Sequence, residues 1–143
     1  MIMMWLPKHK LVSYAHLIFG IALFIAFAVT GKFMRVDFPD KEIIGQDLRL
    51  LMRSRHIYIL FNALIHLVLG TYLVLSPRLW QKLTQIAGSV VLTAASLFLI
   101  YAWYVETYQL AHFSDLSREG IYLSLTAVGL HLIGGKLGGD PKS

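Results

Sequence analysis

Residues 11–30, LVSYAHLIFGIALFIAFAVT, carry no charged side chain. As a helix rising about 1.5 Å per residue, this stretch is about 30 Å long, the thickness of the hydrocarbon core of a bilayer. Lys8 and Lys10 precede it and Gly31 and Lys32 follow it, so the charges fall where headgroups would lie. Ala26 and Ala28 form the small-x-small pattern of a signal cleavage site. The run is long for a signal, however, and reads as a retained membrane helix.

Three more apolar runs follow. Residues 57–75 end at Ser76 and Pro77, and residues 84–105 end at Glu106. The last strictly apolar run, 121–133, is short for a span. It reaches spanning length over about 119–137 only by including Gly120 and the Gly134-Gly135-Lys136-Leu137 end, with Lys136 extended towards the interface. The expected fold class is therefore all-α: one domain over residues 1–143, built as an integral membrane, up-down four-helix bundle. With 57% hydrophobic and 15% charged residues, a chain of this length has too much apolar surface to hide in a water-soluble core.

Both termini fall on one side, X, together with the Pro77 turn; the other two connections fall on side Y. Basic residues are about evenly divided between the sides, so charge alone does not orient the chain. A short N-terminal tail with two lysines is easier to retain than to translocate, which points to a bacterial inner-membrane protein with both termini cytoplasmic. Trp5, Tyr14, Tyr72 and Trp80 fall near side X and Tyr58, Trp103, Tyr104, Tyr108 and Tyr122 near side Y, as two interfacial belts would.

Between the first two spans, residues of about 40–55 set Ile44, Leu48, Leu51 and Met52 against Glu42, Gln46, Arg49 and Arg53, after a helix start at Pro39 and Asp40. This predicts a short amphipathic helix on the membrane surface or an extension of the second span. Arg49, Arg53 and Arg55 stand just before the span and are expected to bind anionic lipid headgroups. The net charge of +5 is scattered over the span ends and gives no nucleic-acid surface. The partners implied are the phospholipid bilayer and another membrane protein or further copies of this chain.

The four runs contain no Asp, Glu, Lys or Arg, and the chain has no Cys. That removes thiolate metal sites, disulfides and the intramembrane carboxylate that a proton-coupled antiporter needs. What remains is polar but uncharged. His16 and His131 lie at matched depth towards side X, and His66 lies slightly deeper. Ser13, Asn62, Thr93 and Ser124 fall on the stripes expected to face the bundle interior, because an unpaired polar group facing lipid costs several kcal/mol.

The histidines admit several roles. They can hydrogen-bond to Ser, Thr, Asn or backbone partners and specify helix packing. Alternatively, His16 and His131, with His66 as substitute, can ligate a b-type haem, with Gly20 or Gly70 leaving room for the macrocycle. A bare metal held by three imidazoles lacks a balancing carboxylate, and proton relay or contact with a quinone or lipid is a further use. No nucleophile, base and orienting group stand together as a catalytic set. The expected function is thus a non-catalytic structural or assembly partner; the alternatives are a haem-binding electron carrier and an intramembrane lipid or quinone binder.

Overall fold

The computed structural model describes residues 8–37, 45–107 and 115–135. Their regular structure is all helical: α1 (Lys8–Asp37), α2 (Gln46–Tyr72), α3 (Leu79–Thr107) and α4 (Asp115–Gly134). Of the two forms expected for the amphipathic segment, the described part takes that of an extension of the second helix. Residues 46–55 are the first turns of α2, with no Gly or Pro between Gln46 and Ile57 to break them, whereas Pro39, Asp40 and Ile44 lie outside the described residues. Gly45 precedes the helix in an extended conformation, and Asp47 in the first turn favours the N-terminal end of the dipole.

The fourth helix extends further at its N-terminal end than the expected span. It begins at Asp115, before Gly120, and gives way to a turn at Gly135; Lys136 and Leu137 lie outside the described residues. Two helices, α1 over Lys10–Val36 and α3 over Leu79–Glu106, are long and apolar enough to cross a membrane.

Successive helices run antiparallel. Ser13 meets Gly70 and Thr30 meets His56, which fixes α1 against α2; Arg55 meets Glu106 and His66 meets Ser96, which fixes α2 against α3. Glu106 also meets Ser117, and Gly88 meets His131, across α3 and α4. The result is two tight hairpins, α1–α2 and α3–α4, joined chiefly through α2 and α3. Shallow grooves run along the two flanks, one between α1 and α3 and another between α2 and α4.

Glycines set the closeness of each hairpin. A Cβ on Gly70 would lie 2.6 Å from the backbone nitrogen of Leu17, and one on Gly20 would lie 2.9 Å from that of Leu67. The crossing is reciprocal: Leu67, with His66 beside it, lies over Gly20, and Leu17 lies over Gly70. The second hairpin repeats the device, with Gly88 beneath His131 and Gly134 against Gln81 and Gln85.

The distribution of polarity is inverted relative to a water-soluble bundle. His16, Arg55, Asn62, His66, Gln81, Gln85, Ser89, Ser96, Glu106 and Ser124 are buried, while Ile18, Ile25, Val36, Val68, Val90 and Leu97 are among the many large apolar side chains exposed. Trp103, expected in the Y-side belt, is also buried.

Gly70→Ala is expected to lower stability by about 1–3 kcal/mol, the usual result of forcing atoms into a filled interface. Gly129→Ala, where an added Cβ meets nothing within 4 Å, should be neutral or stabilising by up to about 1 kcal/mol through helix propensity. Thermal unfolding of the two detergent-solubilised variants measures the contrast, and equal effects would refute the close α1–α2 crossing.

Candidate functional site

Towards the X end the bundle brings His16, His66 and His131 together with Ser89, Ser96, Asn62 and Ser124. The Nδ1 atoms of His16 and His66 lie 2.7 Å apart, and the far edge of each ring reaches α3: His16 Nε2 is 2.8 Å from Ser89 Oγ, and His66 Nε2 is 3.2 Å from Ser96 Oγ. His131 Nε2 approaches Ser89 Oγ at 3.4 Å. Asn62 Oδ1 accepts hydrogen bonds from Ser96 at 3.1 Å and Ser124 at 3.0 Å, while its Nδ2 donates to the Tyr58 carbonyl. Seven side chains from four helices thus form one connected chain.

The donors and acceptors can be ordered with every ring neutral. Ser96 donates to Asn62 and accepts from His66 Nε2–H; His66 Nδ1 accepts from His16 Nδ1–H; His16 Nε2 accepts from the Ser89 hydroxyl. The chain can also take up one proton without losing a bond inside it. Ser89 turns its hydroxyl to the Gln85 carbonyl, 3.0 Å away, and accepts from a protonated His16. At the open end, His131 Nδ1 is buried without a hydrogen-bond partner.

This arrangement does not fit the haem expectation. A metal between two nitrogens needs them about 4 Å apart on opposite sides of bonds of about 2 Å, far more than the separation of His16 and His66. Between His16 and His131, whose ring centroids are 5.9 Å apart, stands the Ser89 hydroxyl. Gly20 and Gly70, expected to leave room for a macrocycle, are instead filled by the backbones of Leu67 and Leu17. Among the described residues no three His, Cys, Asp or Glu side chains are disposed to hold a metal ion.

The other expected polar residues divide. Asn62 and Ser124 are fully buried members of the chain. Ser13 is half-buried and donates to the Gly70 carbonyl at 2.7 Å, helping to fix the crossing. Thr93 is half-buried on the α1–α3 flank and donates to the Ser89 carbonyl at 2.9 Å. His56 is held between α1 and α2, bonded to Thr30 and stacked on Phe27. The side chain of His9 and all of His112 lie outside the described residues.

The three arginines divide as well. Arg53 is exposed and Arg49 half-buried, but Arg55, about 200° further round the helix from Arg53 at 3.6 residues per turn, is buried. Its Nε lies 3.2 Å from Glu106 Oε2, and its Nη1 donates to the Glu106 carbonyl. Arg55 is therefore an interior ion-pair residue. Glu106 in turn accepts from the Leu116 backbone N–H at 2.9 Å and the Ser117 hydroxyl at 2.6 Å, which caps the start of α4. At the X end, Gln85 accepts from the Ser76 backbone N–H and donates to the Val74 carbonyl, while Ser76 donates to Gln81, so the two glutamines clamp the α2–α3 turn.

Neither the ion pair nor the glutamine clamp follows from reading apolar runs, since all four residues stand at span ends where solvent contact is the default. The histidine cluster did leave a signal in the form of a repeated pentapeptide: His16-Leu17-Ile18-Phe19-Gly20, His66-Leu67-Val68-Leu69-Gly70 and His131-Leu132-Ile133-Gly134-Gly135. Comparison of the chain with protein-family models, with curated proteins and with solved structures finds no match.

Removing one partner of a buried ion pair leaves the other charge uncompensated. Glu106→Ala and Arg55→Ala are each expected to cost about 3–5 kcal/mol, and a double change to methionine at both positions to recover most of it. Unfolding in detergent checks this. A double variant no more stable than the single ones would show that the pair is not one interaction.

Proposed function

We propose that this chain is a four-span integral membrane protein without catalysis of its own, acting as a structural or assembly partner of another membrane protein or of further copies of itself. The observation that carries the reading is the inverted polarity: imidazoles, amides, hydroxyls and an ion pair inside, and aliphatic and aromatic side chains outside. In water this would leave large apolar patches exposed; in lipid the apolar exterior meets a matching solvent, and interior polar groups act as interhelical ties.

Only α1 and α3 qualify as spans by their own composition. Support for α2 and α4 comes from packing: α2 accompanies α1 from the Ser13–Gly70 contact to the Thr30–His56 contact, and α4 accompanies α3 from Gly134–Gln85 to Ser117–Glu106. A helix that stays beside a spanning neighbour over that length crosses with it. The outer face of α1, with Leu11, Ile18, Ile25 and Val36 exposed, is the surface offered to lipid or to a partner.

Because the chain has no native cysteine, introduced cysteines report topology cleanly. Gly45→Cys and Pro77→Cys, both at exposed positions, should be labelled by a membrane-impermeant maleimide from opposite sides of the membrane. Labelling from the same side, or recovery of the chain in the soluble fraction, would overturn the four-span reading. Mild-detergent purification should yield a stoichiometric companion or a defined oligomer without a Soret band; a monomer alone, or a haem spectrum lost in His16→Ala, would overturn the partner role.

A further inference from the structure

On the flank between α1 and α3 lies a groove of about 610 Å³, within the range of small-molecule sites. Its walls come from Ala15 and Phe19 of α1 and Val90 and Ala94 of α3, and its floor holds His16, Ser89 and Thr93. We propose that this groove binds the ring of a neutral, lipid-soluble quinone or quinol, with a ring oxygen at Thr93 and Ser89. The proposal rests on the bundle being embedded in a membrane.

Charge selects the class of ligand. The described residues lining the groove include no Lys, Arg, Asp or Glu, so a phosphate headgroup or a fatty-acid carboxylate would enter without a countercharge from them, at a large desolvation cost. A neutral head loses much less. Thr93 has the capacity to receive it: the hydroxyl spends its proton on the Ser89 carbonyl and keeps both lone pairs, so it can accept from a quinol hydroxyl, or rotate and donate to a quinone carbonyl.

The groups behind the floor narrow the class further. Ser89 contacts His16, His16 contacts His66, and His66 contacts Ser96. Each of these groups both donates and accepts, and their hydrogen bonds can be reordered around one extra proton. A ligand oxygen that exists in protonated and deprotonated forms is matched by such a chain. The ester and hydroxyl oxygens of an acylglycerol make no use of it.

The test uses the full chain in lipid nanodiscs, with decylubiquinone as probe and 1,2-dioctanoylglycerol as competitor. Saturable quenching of tryptophan fluorescence by decylubiquinone is expected. Ala94→Phe and Ala15→Leu, which fill the groove, should weaken binding about tenfold or more, and Thr93→Val about five- to tenfold, the loss of one hydrogen bond. Dioctanoylglycerol should compete poorly. Absence of a saturable component, affinity in both groove-filling variants unchanged from that of the unmodified chain, or equally tight binding of dioctanoylglycerol would overturn the assignment. Cysteine labelling of the same preparations separates the outcomes, because four-span labelling without quinone binding defeats the site alone, whereas failed labelling defeats the membrane reading beneath it.

Discussion

His16 and His66 can meet nitrogen to nitrogen because two glycines let their helices approach to backbone contact. Much of the X half depends on that approach. With the Nδ1 edges joined, both Nε2 edges point away from the hairpin and reach Ser89 and Ser96 on α3. Imidazole suits this position because its two nitrogens lie on different edges of a rigid ring, so one side chain ties its own hairpin together and binds the next. A serine in either place would reach one neighbour, and an asparagine would offer a fixed donor and a fixed acceptor and no way to reverse them.

The Y end is held by a different kind of force. Neutral interhelical hydrogen bonds in membrane bundles contribute on average about 0.6 kcal/mol each, whereas breaking a buried ion pair costs several times as much. Arg55 and Glu106 therefore make the Y end of the α2–α3 contact the less tolerant one, and the capping of Leu116 and Ser117 extends that constraint to α4. Between the two ends, Ile59, Leu92, Leu99 and Ala127 pack with little exposure. Polar ties at both ends of an apolar middle fix register, since sliding either hairpin by one turn would unpair both sets.

Counting residues from the ends of apolar runs gives depth, and depth was enough to place three histidines in one half of the bundle. It does not give the angle around each helix. For that reason His16 and His131 looked like the natural pair, while His66 is the residue that touches His16. Azimuth also separates Arg55 from Arg53: the sequence shows a basic cluster, and only the helix turn shows that one member faces inwards. The role of Gly20 and Gly70 has the same origin. A glycine beside a histidine is equally consistent with a gap for a ligand and with a close helix crossing, and the choice depends on what the neighbouring helix presents there. The start of α4 at Asp115 escapes a local reading for another reason: its N-terminal turn is polar and is sustained by Glu106 from a different helix, an interaction that no local pattern contains.

The short diagonal between α2 and α3 has a consequence for where the polar chain can meet the outside. Each hairpin is closed along its length by its glycines, so the seams between hairpins, along α1–α3 and α2–α4, are the looser ones. The histidine chain crosses from one seam to the other: Ser89 and His16 border the α1–α3 groove, and His131, beside Gln85 and Gly134, borders the α2–α4 groove at the X end. Asn62, which has no ionisable proton to pass on, terminates the chain in the bundle interior. The connected polar groups therefore run laterally, from the α1–α3 groove towards the α2–α4 groove at the X end, and not along the bundle to the Y end. The tight hairpins and the loose seams follow from the same glycine placement, so the packing that gives the bundle its register also decides which end and which flanks of the bundle its histidines can reach.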